Sequence, residues 1–421
     1  MLRIFNFLIL AEKFLINLKL NLKQRHFGGE PFLFLPLEGV RILDLTLYLP
    51  YTTLLADLGA EVIKVEEPTR GDYVRQMKPL FNGQSMVHIL LNRNKKSITL
   101  NLKTEEGREI FYRLTEKSDV IIESFRPGVV KRLGIDYETV RKVNPKIIYC
   151  SVSGYGQNGP YKNLPGHDIN YIAVAGILGL TGKKDGPPVI PGTQIADLGG
   201  GCALATISIL VALWVREKTG KGQFIDISMT DGAFSWLHIP LATYLVEGEV
   251  PKKGEMMLTG GFPCYNAYET KDGKYISLGC LEERFWRNFC RVIGREDFVQ
   301  YQWDTGKKRE EIFSVLKKIF KTKTRDEWIK TLTEADVCVG PVYSLDETLN
   351  DPQLRHREMV VETEHPTVGK VKLIGIPIKF SETPGKIRTP APTLGQHTEE
   401  ILLTLGYSKR DVEKFRKKKI I

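Results

Sequence analysis

The sequence predicts an α/β protein organised around a parallel β-sheet. Short apolar strands alternate with helical patterns of about 10–15 residues through the first third of the chain, the signature of strand–helix–strand units. Near Val250 this gives way to the tighter alternation of an antiparallel hairpin. With 42% hydrophobic and 26% charged residues, the 421-residue chain has an ordinary globular composition, and its length suits two or three domains.

The elements follow in order from Leu37. LEGVRILDLT is a first strand, TTLLADLG a helix closed by Gly59, and Glu61–Glu66 a second strand. A third strand covers 95–102. The helix TEEGREIFYRLTEKS begins with a capping box at Thr104, and DVIIESF (119–125) is a fourth strand. VVKRLGIDYETVRKVNP is one helix and KIIYCSVSGYG (146–156) a fifth strand. Asp197 opens a long apolar helix that Gly220 ends, and one more strand and helix follow. GGFPCYNAYETKDGKYISLGC forms the hairpin, with Asp272-Gly273 as its turn. Helices at 282–293 and 308–334, a strand region at 368–382 and a basic terminal helix complete the chain. Sheets of this kind take ligands at the carboxyl ends of their strands.

Composition narrows the function. Sixty Lys and Arg against fifty Asp and Glu leave a formal charge of +10, which suits an anionic ligand such as a phosphorylated cofactor. The excess is spread along the chain without an RNP, zinc-finger or basic-zipper pattern, so nucleic acid is not the expected partner. Six cysteines (Cys150, Cys202, Cys264, Cys280, Cys290, Cys338) form no C-x-x-C pair, which argues for a cytoplasmic protein with free thiols rather than a disulfide framework or a metal site. The longest apolar run, Cys202 to Val215, is shorter than the ~20 residues a bilayer span needs. It is expected as a buried helix, with no membrane partner. Residues 1–36 are basic and apolar, but Glu12 and Lys13 interrupt them and no cleavage site follows. They are expected to be a non-core extension.

Candidate chemistry lies in loops. GYGQNG (154–159) matches G-x-G-x-x-G after a strand, yet two prolines in the following PYKNLPGHD keep a helix from starting there. No acid for a ribose follows at the right distance, so these glycines admit some ligand other than a dinucleotide. His167 sits beside Asp168 in GHDIN. Asp197 precedes Gly199–Gly201 at a helix start, where it is either an N-cap or a reactive carboxylate in a cleft, with the glycines leaving room for substrate. Glu282 in LGCLEERF is either a first-turn helix charge or part of a site, and Met256, Met257 and Phe262 either line an acyl pocket or pack in a core.

The order of several strings is more specific than any one of them: LEGVRILDLT, LLADLGAEVIKVE, NRNKKSITLNLK, DVIIESFRPGVVKRLG, GHDIN, KTGKGQFIDISM and VCVGPVYSLDE. From Leu37 to about Tyr407 the chain resembles the class III CoA-transferase family, which includes α-methylacyl-CoA racemase. The resemblance implies an open parallel, Rossmann-like sheet in a CoA-binding large domain made from 37–225 and 351–421. A smaller α+β domain with its linkers would occupy 226–350, and two subunits would interlock as a homodimer. Acyl-CoA and a carboxylic acid acceptor would be the partners, with coenzyme A as thioester carrier and no other cofactor.

Within that resemblance, Asp197 matches the transferases' nucleophile, and His167 and Glu282 match further residues of the racemase site. Inverting an α-carbon needs one base on each face of a planar enolate. A binding module without chemistry needs no such trio. The expected reaction is therefore racemase-like proton transfer at the α-carbon of a 2-methylacyl-CoA. The alternative is CoA transfer between carboxylic acids through an aspartyl anhydride and an aspartyl-CoA thioester. CoA contacts are implied at Leu100, Asn101, Leu102 and Lys103, at Ser124, Phe125 and Arg126, at Arg132, and at Tyr155 and Gly156. Two features depart from the pattern. LTLYLPYTTLLADLG is a shorter turn after the first strand than relatives carry, and Glu67 stands where many place an arginine near the adenosine.

Overall fold

The computed structural model describes residues 34–421; nearly all of the extension expected at 1–36 lies outside the described residues. Six strands form one wholly parallel sheet: β1 (Arg41–Leu45), β2 (Glu61–Glu66), β3 (Lys95–Thr99), β4 (Val120–Glu123), β5 (Ile148–Ser153) and β6 (Phe224–Ser228). Their spatial order is β3-β2-β1-β4-β5-β6. β4 and β5 are buried along their whole length, which is why VIIE and IYCSVS are near-continuous apolar runs rather than alternating ones. The direction in which strands are added reverses between β1 and β4. Beyond their carboxyl ends the loops diverge and leave a crevice.

Five helices pack on or beside the sheet: α1 (Thr53–Asp57), α2 (Glu105–Glu116), α3 (Asp168–Val174), α4 (Leu204–Thr219) and α5 (Met229–Phe234). On one face of the sheet, Ile42, Val62, Val120 and Val152 share a core with Leu55 of α1, Ile172 of α3 and Ala205, Ile209 and Ala212 of α4. On the other, Leu43, Ile63, Ile98 and Ile121 meet Ile110, Phe111 and Leu114 of α2. Ile401, Leu402, Val412 and Phe415, from the helices Thr398–Thr404 and Lys409–Lys417, complete that second core. The Asn101 N–H donates to the Ile420 carbonyl at 2.7 Å, so the last helices are tied to the first strands.

A three-stranded antiparallel sheet follows, β7 (Tyr265–Glu269), β8 (Tyr275–Gly279) and β9 (Val339–Val342), in the order β9-β8-β7. Its core holds Trp286, Phe289, Phe320 and Trp328. The Thr270 hydroxyl donates to the Asp272 carboxylate at 2.6 Å and Gly273 takes φ +75°, which makes the turn where the sequence places it. β10 (Val360–His365) and β11 (Gly369–Ile374) form a separate hairpin.

Several sequence expectations change. The helix expected from Val129 onward is two, Val129–Leu133 and Tyr137–Val143, because Gly134 adopts φ +72° and closes the first. Thr104 caps α2 through the Gly107 N–H at 3.1 Å, but Gly107 has no side chain to return the bond, so the capping box is half made. A Cβ at Gly107 would stand 2.2 Å from the Asn101 carbonyl oxygen, which is why glycine sits there. The helix expected at 308–334 breaks into Lys307–Phe320 and Arg325–Glu334, with Thr324 and Glu327 forming a complete capping box between them.

The long apolar helix is not buried all round. With the turns that precede it, it runs for 24 residues, Ala196–Thr219, long and apolar enough by length and composition to cross a membrane. One side packs on the sheet. The other leaves Ile207, Val211 and Trp214 exposed, Trp214 by 63%.

Beneath the carboxyl ends of β1–β3 lies a buried charged cluster. Lys95 Nζ stands 3.1 Å from Asp44 and Lys64 Nζ 2.8 Å from Asp72, each of the four side chains 2% exposed or less. Arg75 forks onto Glu66, which also accepts from Ser97. Burial alone would raise the Asp44 pKa, but Lys95, Lys64 and the hydroxyls of Thr46 and Thr52 hold it well below the usual carboxylate range. Asp72 also accepts the Tyr48 N–H at 3.1 Å, which fixes the turn after β1 with Tyr48 at φ +69°.

Candidate active site

A cavity of about 510 Å³ opens at the crevice between β1 and β4. The turn after β1 supplies Leu47 and Tyr48, the turn after β4 supplies Ser124 to Pro127, and the loop after β5 supplies Gly154 and Tyr155. His167, Asn170, Tyr171 and Asp197 close the remaining side, with Lys162 at the rim. The turns after β1 and β4 are linked, the Leu47 N–H donating to Ser124 Oγ at 2.9 Å. Gly154 is required: a Cβ there would stand 2.2 Å from the Tyr171 ring. As the prolines predict, no helix follows GYGQNG until α3 starts at Asp168.

Asp197 sits in the first turn of a π-helical stretch, Ala196–Ala203, that leads into α4. Wide turns of this kind recur at functional sites because they push a side chain off the regular helical rows. The N-cap is Ile195, so the capping role open to Asp197 on sequence grounds is not the one it has. Its own N–H donates to Asp168 Oδ1 at 3.0 Å, while among the described residues no donor reaches its carboxylate. Burial, together with the charge of Asp168, pushes the Asp197 pKa up to about 6. Burial and Asp197 in turn raise the Tyr171 hydroxyl to about 12.

Two of the three glycines do different work from that expected. A Cβ at Gly199 would collide with the Trp236 ring at 1.8 Å, and one at Gly200 would meet the Met229 carbonyl oxygen at 2.5 Å. Gly232 of α5 faces Gly200 backbone to backbone. Gly199 and Gly200 let Trp236 and α5 press against the π-helical turns, so the space beside them is filled by packing.

His167 lines the cavity with Asp197 and is exposed, its N–H donating to Asn170 Oδ1 at 3.0 Å. Glu282 is the exposed N-cap of the helix Glu283–Val292 beside the antiparallel sheet and does not line the cavity. Of the implied CoA contacts, Ser124, Phe125, Arg126 and Tyr155 line it, and Gly156 follows at φ +83°. Leu100 is buried in the second core, Leu102 packs at its edge, and Asn101 Oδ1 accepts the Lys103 N–H, so this segment lies outside the cavity. Arg132 is also outside it, on the short helix after the β4 turn. Glu67 makes its own turn by accepting the Thr69 and Arg70 N–H groups. Phe262 packs edge-on against Trp303, 5.2 Å away, and Met256 and Met257 do not line the cavity. Sequence reasoning passed over Tyr48, Lys162 and Tyr171; only Tyr171 carried a signal, standing one helical turn after His167.

Residues 37–398 match CoA-transferase family III. The chain is 37% identical to succinyl-CoA:glutarate CoA-transferase of Mus musculus over 389 residues, covering 90% of this chain and 88% of that protein. It is also 37% identical to formyl-CoA:oxalate CoA-transferase of Rhodopseudomonas palustris, covering 89% of this chain and 95% of the relative. A CAIB/BAIF family protein from Brucella suis superposes with a TM-score of 0.78 at 31% identity, covering 88% of this chain and 99% of the other. These enzymes are named for moving CoA between acids, which favours transfer over the racemase reaction expected from the sequence. The chain belongs to CoA-transferase family III.

Proposed function

We propose that the protein transfers coenzyme A from succinyl-CoA to a short dicarboxylic acid such as glutarate, with Asp197 as the nucleophile. The observation that carries this reading is a half-buried carboxylate that, among the described residues, has no donor on it, facing a cavity at the crevice of the sheet. Free lone pairs and partial desolvation are what a carboxylate nucleophile needs. The relatives support the substrates: two of them, from mouse and human, are succinyl-CoA:glutarate CoA-transferases at 37% identity.

Asp197 attacks the thioester carbonyl, forming a mixed anhydride and releasing the CoA thiolate. The thiolate then attacks the aspartyl carbonyl and expels the donor acid, leaving an aspartyl-CoA thioester. The acceptor carboxylate displaces the thiolate to form a second anhydride. Attack of the thiolate on the acceptor acyl carbon yields the new acyl-CoA and frees Asp197. Arg126 and Lys162 line the same cavity and offer charge to the anionic acids and to CoA. No further cofactor enters this scheme. Free cysteines, among them Cys150, Cys202 and Cys338, fit a reducing cytoplasm.

Hydroxylamine added during turnover should trap Asp197 as its hydroxamate, visible by peptide mass. A 2-methylacyl-CoA incubated in D₂O should gain no deuterium at the α-carbon; wash-in that His167→Ala abolishes would restore the racemase reading. Because the nucleophile is the ionised form, kcat at saturating acyl-CoA should rise about tenfold per pH unit below 6 and level off above it.

The homodimer is part of the same proposal. Ile207, Val211 and Trp214 of α4, and Leu245 and Val246 of the helix His238–Glu247, are large apolar side chains left exposed, of the kind an interface covers. A second copy over this face would cover it and would be the source of any Glu282 near the cavity. Leu245 is 71% exposed, so Leu245→Asp should halve the mass seen by light scattering from a dimer to the 47.8 kDa chain.

A further inference from the structure

We propose that Glu123 is a positioning residue that clamps together the turn after β4 and the loop after β5, and so sets the affinity of the cavity for coenzyme A. This rests on the CoA reading above. Glu123 ends β4 and is 1% exposed. Its Oε2 accepts the Phe125 N–H at 2.7 Å, inside the turn that presents Ser124 and Arg126 to the cavity. Its Oε1 accepts the Ser151 hydroxyl proton. Ser151 Oγ accepts from Gln157 Nε2 at 2.9 Å, and the Gln157 N–H donates to the Asp226 carboxylate of β6 at 3.1 Å. Gln157 stands two residues beyond Tyr155, so one buried acid joins both turns that line the cleft.

Stability alone does not account for an acid there. Among the described residues no lysine or arginine pairs with Glu123, and an unpaired buried carboxylate is costly. The groups around it give no cation either. β5 brings Ser151, Tyr149 and Cys150, β6 brings Asp226, and β1 sets Leu45 opposite it in register. Burial, opposed by the Ser151 and Phe125 hydrogen bonds and helped by Asp226, raises the Glu123 pKa to about 7. The carboxylate form accepts at both oxygens, whereas protonation converts one of them into a donor and loosens the clamp.

The test is Glu123→Gln in the full-length protein, which keeps the shape but cannot accept from Phe125 and Ser151 together. Calorimetry with free CoA at pH 8 should show affinity weakened about 10-fold, as expected for losing one charge-assisted hydrogen bond. KM for acyl-CoA should carry the change, and the melting temperature should not. Wild-type affinity should fall as pH drops from 8 to 6, and the Gln variant should be flat over that range. Unchanged CoA affinity with an unchanged pH profile would overturn the proposal. So would a fall in melting temperature with no change in KM, since that marks a merely structural acid. Should the Gln variant fail to fold, Ser151→Ala, which removes both the bond to Glu123 and the one from Gln157 and leaves only the Phe125 bond on the acid, must still raise KM several-fold; an unaltered KM overturns the clamp. A wild type that binds CoA with the predicted pH dependence yet transfers none would sink the transferase reading and leave the clamp standing. A wild type that binds no CoA sinks both.

Discussion

Asp197→Asn should lower CoA transfer about 10⁴-fold, comparable to removing a nucleophile from other covalent catalysts. The substitution keeps the volume of the side chain in its π-helical turn and removes only the ability to form an acyl anhydride. The folded protein should not suffer. The Asp197 pKa is raised in the native state, so whatever stability the carboxyl contributes is present below the ordinary carboxylate pKa and is lost as pH rises through about 6. At pH 8 the native protein holds an uncompensated partial burial of charge, and the asparagine variant should melt at the same temperature or slightly higher. Stopped assays with succinyl-CoA and glutarate, paired with thermal melts, check both halves. A variant that keeps turnover within tenfold of wild type would place the nucleophile elsewhere.

Lys95→Met should destabilise the fold by about 3–5 kcal/mol, because it strands Asp44 in the core without its closest cation. For a chain of this size that corresponds to a fall in Tm of roughly 3–6 °C, read by calorimetry. The double variant Asp44→Leu/Lys95→Met should recover part of the loss, since it leaves no unpaired charge at that pair. The cluster also predicts acid sensitivity. The Asp44 and Glu66 pKa values are depressed, Glu66 to about 2, so their stabilisation is present above the ordinary carboxylate range and is lost as pH falls toward the depressed values. The single variant should have a functional consequence as well. The cluster runs through Lys64 to Asp72, which holds the Tyr48 N–H at the edge of the cavity, so loosening it should raise KM before the protein unfolds.

What the sequence made legible was local. Glu61–Glu66 is a β-branched run between Gly59 and Pro68, and it forms the strand it predicts, to the residue. Gly220 ends α4 at φ +70° for the reason any helix-terminal glycine does. Asp197 and His167 stood out because short strings around them are unusual, and they do line one cavity. Features that depend on distant partners were invisible. Nothing near Gly199 announces that Trp236 will lie against it, so its close packing looked like an opening for substrate. Glu123 lay unremarked inside the strand DVIIESF, since only the pairing of β4 with β5 brings Ser151 to it. Gly134 was read through because a single glycine in an apolar pattern does not declare its φ. The CoA contacts at Leu100–Lys103 were implied by the resemblance and not by the residues themselves, which gave no sign that the Asn101 N–H would bond to the Ile420 carbonyl.

The way Ile401, Leu402, Val412 and Phe415 finish the second core sets an order on biosynthesis. Those side chains leave the ribosome last, while the strands they cover leave it first. A nascent chain therefore carries one greasy slab of its sheet uncapped throughout synthesis of the antiparallel unit, and in that interval it is a natural client for chaperones.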